Sequence, residues 1–205
     1  MQILLCLLMG YLTGNINPAY ILSKLKGFDI REKGTGNAGA SNVTVVMGKK
    51  AGVFTALFDI FKAFVVVTVA SELFPSLACA KILSGVACIM GHIFPFVMHF
   101  RGGKGLACLA GVILAFSPVV FLCFLLAEAV LALATDYICV VAPSGSVIFT
   151  IVYFILTGDT AGTLLLAMTS VVIVCKHIRN FRRIRKGEET HISFLWKKND
   201  KSGSQ

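Results

Sequence analysis

The chain has 205 residues, of which 57% are apolar and 14% are charged, and its mean hydropathy is +0.84. Soluble domains carry roughly 25% charged residues, and a chain of 22.0 kDa has too little interior to hide this much apolar surface. The composition therefore predicts an all-α, polytopic membrane protein. It excludes a disordered chain, a coiled coil and a nucleic-acid-binding protein, despite a net charge of +9.

The apolar runs predict about seven transmembrane helices, although the segment near 147–156 is short for a full span. The first run covers 3–22, and Pro75 separates the next two, at 51–74 and 77–100. The run at 105–134 is overlong, and we expect it to divide near Phe124, because the extra crossing returns the basic tail to the cytoplasm. Two further runs follow at 138–156 and 161–175.

The basic residues predict the topology. Lysines and arginines are concentrated at 24–50, at 101–104 and after residue 175, and such segments stay in the cytoplasm. The N-terminus then lies outside, and a loop at 136–146 and the C-terminus lie inside. Lys104, Asp136 and Trp196 should all be reachable from the cytoplasm. We assign 1–187 to one membrane domain and 188–205 to a polar, basic cytoplasmic tail.

A few polar residues interrupt the apolar runs. Asp59 and Lys62 are three positions apart, so we expect them to form a structural ion pair, because an isolated charge inside a membrane is costly. The proposed division near Phe124 places Glu128 close to a turn, and we interpret His92 as a hydrogen-bonded core residue. The seven cysteines form no CxxC pair, so they are interpreted as small apolar residues and no metal site is predicted.

The first basic segment contains a glycine-rich stretch, GTGNAGASN. Thr35, Gly36, Asn37 and Asn42 could form a concave group of donors that binds an anion, since glycines leave backbone N–H groups unshielded. A flexible connection between helices is the alternative. The stretch lacks the GxxxxGK[ST] pattern of a Walker A loop.

Two more segments carry candidate phosphate-binding groups. In RGGKG, Arg101, Gly102, Gly103 and Lys104 could clamp a phosphate between an ammonium group and backbone amides, although a topogenic basic turn has the same composition. If the last membrane helix continues beyond its apolar run, His177 and Asn180 share a face and could bind phosphate or stabilise an oxyanion.

Together, GTGNAGASN, GHIFPFVMHFRGGKG and KHIRN followed by Gly187 and Glu189 resemble the three sequence motifs of the bacterial acyl-phosphate:glycerol-3-phosphate acyltransferases, the PlsY family. The resemblance covers nearly the whole chain. It implies a seven-helix enzyme of the bacterial plasma membrane that transfers a fatty acyl group from acyl phosphate to the 1-hydroxyl of glycerol 3-phosphate. The products are lysophosphatidic acid and phosphate.

The resemblance also implies the roles of the candidate residues. Lys104, His177 and Asn180 would be catalytic, whereas Thr35, Gly36, Asn37, Asn42, Arg101, Gly102 and Gly103 would bind substrate. No cofactor, metal or obligate protein partner is implied, and the partners are the two substrates and membrane lipid. An acyl phosphate is already activated, so positioning and charge stabilisation can supply much of the remaining rate enhancement.

The sequence departs from this family pattern at positions that weaken anion binding. Val45 stands where the family carries an arginine, Asp136 replaces another, and Cys139 and Ala142 replace serines. The alternatives are therefore a diverged, weakly active or inactive paralogue that binds phosphorylated ligands, or a transporter of small anions. A transporter places its ionisable residues near the bilayer midplane. Most of those here are predicted at one rim, which favours the enzyme.

Overall fold

A computed structural model describes residues 1–195, and these residues form helices joined by short turns, with no β-strand among them. Five helical segments in this part of the chain are long and apolar enough to cross a membrane: Lys49–Leu73, Ala80–Met98, Pro118–Thr135, Ile138–Thr157 and Thr160–Arg185. The predicted all-α, polytopic architecture is therefore confirmed. The total of seven spans and the sidedness of the termini stay predictions, and Trp196 and the rest of the tail lie outside the described residues.

The α-helices in chain order are α1 (Gln2–Asn15), α2 (Pro18–Leu25), α3 (Ala40–Met47), α4 (Lys49–Leu73), α5 (Ala80–Ile93), α6 (Leu106–Phe116), α7 (Pro118–Thr135), α8 (Val141–Thr157) and α9 (Thr160–Arg185). Short 3-10 helices lie at Ile30–Glu32, Phe96–Met98, Ile138–Val140 and Ile192–Leu195.

The overlong apolar run divides at Ser117, so the expected position near Phe124 is wrong. Ser117 Oγ accepts the N–H of Val120 at 3.3 Å, and Pro118 occupies the first position of α7. Serine as N-cap followed by proline is a strong helix start, and this pair decides the boundary. Glu128 consequently lies inside α7 and not near a turn, and Ser144 of α8 donates to its carboxylate at 3.0 Å.

Three other boundaries differ from the expected ones. The first run is two helices, because Asn17 caps α2 by accepting the N–H of Tyr20 at 2.9 Å. Ala40–Met47, expected as loop, is the helix α3. The loop expected at 136–146 is mostly helical, since the 3-10 turn Ile138–Val140 leads directly into α8.

Close packing between α1 and α5 depends on glycines. A Cβ atom at Gly10 or Gly14 would lie 2.2 Å from the carbonyl oxygens of Ser84 and Cys88, and one at Gly91 would lie 2.2 Å from that of Tyr11. The spacing of Gly10 and Gly14 is the GxxxG arrangement that lets membrane helices approach closely. These residues fix α5, and α5 ends at the segment that carries Lys104.

The expected ion pair inside α4 is confirmed. Lys62 Nζ lies 2.7 Å from Asp59 Oδ1 and also donates to the carbonyls of Gly14 and Ile16, at 3.2 and 2.6 Å. His92 is 3% exposed, and its Nδ1 lies 3.4 Å from the same Asp59 oxygen. This buried cluster joins α1, α4 and α5, which is a structural role.

The cysteines are only partly the buried apolar residues that we expected. Cys6, Cys88, Cys108 and Cys139 are buried, whereas Cys123 and Cys175 are exposed.

Candidate functional site

Lys104 lies in the turn between α5 and α6, and its ammonium group reaches α9. Nζ donates a short hydrogen bond to Asn180 Oδ1. Asn180 Nδ2 in turn donates to Glu189 Oε1 at 2.8 Å, and Arg183 Nε lies 3.4 Å from Glu189 Oε2. An ammonium group has three donors, so Lys104 keeps hydrogen-bonding capacity for a ligand beyond its contact with Asn180.

Burial and the neighbouring Glu189 have opposite effects on the pKa of Lys104. Burial lowers the pKa of the Lys104 ammonium below its ordinary value, because a low dielectric disfavours the charged form, and the carboxylate of Glu189 opposes that shift. Glu189 itself is only 7% exposed. Its carboxylate therefore acts on both neighbours, holding Asn180 by a hydrogen bond and favouring the charged form of Lys104.

His177 and Asn180 lie on one face of α9, as the sequence predicts for a continuous helix. The helix extends to Arg185, well beyond the apolar run that ends near 175. His177 is 3% exposed, and its Nδ1–H donates to the Ile173 carbonyl at 2.8 Å. In the neutral ring this bond leaves Nε2 as the acceptor, so the histidine has a fixed orientation one helical turn before Asn180.

The glycines before Lys104 do not have the role expected from the sequence. The Gly102 and Gly103 amides donate to the carbonyls of Ile93 and His92, at 3.1 and 3.0 Å. A Cβ atom at these glycines would lie 2.0 Å from His92 O and 2.1 Å from His92 Nε2, respectively. These amides fasten the turn to the end of α5 and are not free to clamp a phosphate. Arg101, next to them, is exposed.

Asn42 also has a different role from the one expected. Its side chain is fully buried, and Nδ2 donates to the carbonyls of Ile30, Lys33 and Asn37 at 2.9–3.0 Å. Its Oδ1 accepts the Thr35 N–H at 2.7 Å. Both of its amide hydrogens are used, so the role that the structure gives Asn42 is to shape the glycine-rich turn.

The rest of the turn is only partly available. The Gly36 N–H donates to the Lys33 carbonyl at 3.1 Å, so this expected anion donor is occupied as well. The side chains of Thr35 and Asn37 are half-buried and remain candidates for substrate binding. Among the described residues no hydrogen bond joins either of them to Lys104.

Arg31 connects the glycine-rich turn to the Lys104 segment. Its Nη1 donates to the Met98 carbonyl at 2.7 Å, and its Nε and Nη2 bind Asp29 at 2.9 and 2.7 Å. The guanidinium lowers the pKa of Asp29 to about 2, mainly through these hydrogen bonds. Arg31 is thus occupied. Val45, where the sequence resemblance implies an arginine, lies on the exposed face of α3.

One buried group has the composition of a metal site. Ligand atoms of Asp59, His92 and Cys108 all lie within 4.8 Å of one another. The Lys62 ammonium, however, lies 2.7 Å from Asp59 Oδ1 and 3.2 Å from His92 Nδ1. The position of a cation is therefore already filled by the chain itself.

Sequence reasoning missed three residues that the structure connects to the site. The sequence places Glu189 in a motif but does not predict its contact with Asn180. That contact depends on the turn of the chain at Gly187, which brings Glu189 back to α9. His92 supports the Lys104 turn, and the GHI–RGGKG spacing gave no sign of that contact. Asp136 Oδ1 accepts the Ser193 N–H at 2.7 Å, and no local sequence pattern links positions so distant along the chain.

Comparisons with known proteins agree with the resemblance of the motifs. Residues 4–187 match the family model described as "Glycerol-3-phosphate acyltransferase". A protein of that name from Macrococcus caseolyticus is 37% identical, covering 95% of this chain and 99% of its own length. "Glycerol-3-phosphate acyltransferase 1" of Oceanobacillus iheyensis is 35% identical over 93% of this chain and 95% of its own length.

A solved structure is similar over almost the whole fold. The crystal structure of PlsY (YgiH), an integral membrane glycerol 3-phosphate acyltransferase, in its glycerol 3-phosphate form has a TM-score of 0.87 and 29% identity, and covers 96% of this chain and 100% of its own. Its lysophosphatidic acid form has a TM-score of 0.82, with 93% and 95% covered.

Proposed function

The chain belongs to the glycerol-3-phosphate acyltransferase family, and from this membership we propose that it transfers a fatty acyl group from acyl phosphate to the 1-hydroxyl of glycerol 3-phosphate. The hydroxyl oxygen forms an ester bond with the acyl carbon as the bond from that carbon to the phosphate oxygen breaks, and the hydroxyl proton ends on the departing phosphate. Inorganic phosphate and lysophosphatidic acid are released. We place this reaction at the cytoplasmic face of a bacterial plasma membrane, within a single membrane domain at 1–187.

The observation that carries the proposal is the contact of Lys104 with Asn180 beside His177. Both substrates bear phosphate groups, and a partly buried ammonium is a strong partner for a phosphate oxygen. Lys104 would bind phosphate and stabilise the negative charge that leaves with it. Asn180 orients that ammonium through Oδ1. His177 Nε2, the acceptor atom of the ring, would accept a hydrogen bond from a donor group of the substrate.

An apolar groove supports a lipid product. It lies between α8 and α9, encloses about 300 Å³, and is lined by Val147, Thr150, Ile151, Ala167, Ser170, Val171, Val174 and Cys175. Its last residues on α9 lie less than one helical turn before His177. A fatty acyl chain in this groove would bring its carbonyl carbon towards the polar residues, which is the arrangement that a transfer at a membrane surface requires.

Val45 favours a second candidate, a diverged paralogue with weak activity. With Arg31 bound to Asp29 and Met98, no arginine of the glycine-rich turn replaces the missing charge. Such a protein would bind phosphorylated ligands and turn them over slowly or not at all.

A phosphate-release assay with purified protein, palmitoyl phosphate and glycerol 3-phosphate tests the proposal. We expect turnover and ester formation by the wild type and almost none by Lys104→Ala. Lys81→Ala is the matched control, because it removes an exposed lysine at the opposite end of α5. Wild-type release no faster than that of Lys104→Ala would refute the acyltransferase proposal and leave the inactive paralogue.

A further inference from the structure

The chain after α9 reaches the turn that joins α7 to the 3-10 helix Ile138–Val140. We call residues 187–193 the terminal strap. At its far end the Ile192 N–H donates to the Asp136 carbonyl at 2.9 Å, and the Ser193 N–H and Oγ–H donate to the two Asp136 carboxylate oxygens at 2.7 and 2.8 Å. His191 Nδ1 lies 3.1 Å from Asp136 Oδ2, and the His191 ring packs on Tyr137 with a centroid distance of 4.7 Å.

Asp136 is suited to this contact by its backbone. It ends α7 in the left-handed conformation, with φ of 59°, which aspartate tolerates better than most residues. This conformation turns both its carbonyl and its carboxylate to the strap. Partial desolvation raises the pKa of the Asp136 carboxyl, but the hydrogen bonds from Ser193 and the neighbouring His191 outweigh that effect and lower it. The carboxylate form is therefore the one that holds the strap.

The near end of the strap is fixed to α9. Gly187 has a positive φ of 69°, the Glu188 N–H donates to the Arg183 carbonyl at 2.9 Å, and Arg183 Nη2 donates to the Glu188 carbonyl at 3.0 Å. Glu189 lies between the two attachments. Ser193 is four positions further along the chain, and an extended chain spans at most about 3.6 Å per residue. Fixing Ser193 therefore restricts where Glu189 can lie.

We propose that Asp136 is a positioning residue for acyl transfer: by holding the terminal strap at His191 and Ser193, it keeps Glu189 against Asn180, and so keeps Asn180 against Lys104. The effect passes through named contacts, from Asp136 to Ser193, along the strap to Glu189, and from Glu189 Oε1 to Asn180 Nδ2 at 2.8 Å. This inference rests on the proposed function, because it assigns Asp136 to the site that contains Lys104.

The test compares Asp136→Ala with Asp159→Ala. Asp159 is a matched control because it also lies at a turn flanking α8 and accepts two hydrogen bonds, from Tyr153 at 2.7 Å and from the Gly162 N–H at 3.0 Å, with no part in the strap. Both variants should lose thermal stability. We expect Asp136→Ala alone to lower kcat/KM, by about tenfold or more, since small displacements of catalytic groups are costly. Asp159→Ala should keep the wild-type kinetic constants.

Two further measurements separate positioning from a general structural defect. Asp136→Asn keeps an oxygen for the Ser193 N–H and should recover part of the lost kcat/KM. Amide hydrogen exchange should become faster at Ile192 and Ser193 in Asp136→Ala, and stay unchanged there in Asp159→Ala. Equal kinetic constants for Asp136→Ala and Asp159→Ala, in an active wild-type background, would overturn the inference.

The role of Asp136 can be tested even if the proposed reaction is wrong. Calorimetric binding of glycerol 3-phosphate needs no turnover, and Asp136→Ala should weaken it more than Asp159→Ala does. If the wild type binds but does not release phosphate, the proposed reaction fails and this comparison still decides the role of Asp136. Equal binding by the two variants would refute that role.

Discussion

Replacing Gly103 with alanine tests why glycine precedes Lys104. The added Cβ atom would lie 2.1 Å from His92 Nε2, 2.9 Å from Cε1 and 3.0 Å from Cδ2. Atoms in ordinary contact are about 3.5–4.0 Å apart, so the ring or the turn must move by more than about 1 Å. The ring cannot turn away freely, because His92 is buried and its Nδ1 lies 3.4 Å from Asp59 Oδ1 and 3.2 Å from Lys62 Nζ.

The expected magnitude follows from this overlap. Overpacking of a well-packed interior costs about 1–3 kcal/mol, and a 1 Å misplacement of a catalytic group costs about 10²-fold in rate. We expect Gly103→Ala to lower the free energy of unfolding by about 1–3 kcal/mol and to lower kcat/KM by about 10²-fold. In a His92→Ala background the three close contacts are absent, so adding Gly103→Ala should cost less than half as much stability as it does in the wild type.

The two single variants and the double variant form a double-mutant cycle. For each of them we would measure thermal unfolding in detergent and phosphate release. Gly145→Ala is the control, because its Cβ would first meet Glu128 Oε1 at 3.1 Å, the end of a flexible side chain, and alanine is favoured inside a helix. It should retain wild-type stability and turnover. If Gly103→Ala lowers the stability equally in the wild type and in the His92→Ala background, then the His92 ring is not the obstacle and the packing argument is wrong.

Three other predictions follow from the site. Val45→Arg should lower KM for glycerol 3-phosphate by tenfold or more, since a charged hydrogen bond contributes about 1.5–3 kcal/mol; Val45→Gln is the neutral control, and an unchanged KM in Val45→Arg would contradict the prediction. Glu189→Gln keeps an acceptor for Asn180 but removes the charge that raises the pKa of Lys104. The alkaline limb of kcat/KM should therefore move to lower pH, and a shift to higher pH would contradict this. Lys104→Cys and Asp136→Cys, in a background without native cysteines, should resist an impermeant thiol reagent applied to intact cells. External labelling at position 136 would overturn the seven-span topology.

The parts of the fold that the sequence predicts well depend on composition and local spacing. The helical membrane class follows from the hydropathy, and the Asp59–Lys62 pair follows from a three-residue spacing in an apolar helix. The shared face of His177 and Asn180 follows from helical geometry, once α9 continues past its apolar run. Each of these inferences needs only neighbours along the chain.

The site predictions that the structure corrects concern donors that are already hydrogen-bonded within the chain. A glycine-rich sequence shows that amides are unshielded by side chains, but not whether a carbonyl elsewhere already uses them. The Gly102 and Gly103 amides bind the end of α5, and the Asn42 amide binds three carbonyls of its own turn. Asp136 and the terminal strap likewise meet only in the folded chain.

These occupied amides change where substrate binding must originate. Because the Gly36 and Gly102 amides are already bonded to carbonyls, these turns supply shape, and under the proposed function the charge that binds a phosphate would come from side chains. Lys104 is fixed by Asn180, whereas Arg31 and Arg183 are already paired with Asp29 and Glu189. Under the proposed function, with valine at position 45, binding of a phosphorylated substrate would rest more heavily on Lys104 than it would with an arginine there. A change that moves Asn180, which bonds the Lys104 ammonium, would then lower substrate binding more than it would in a site with a second free cation.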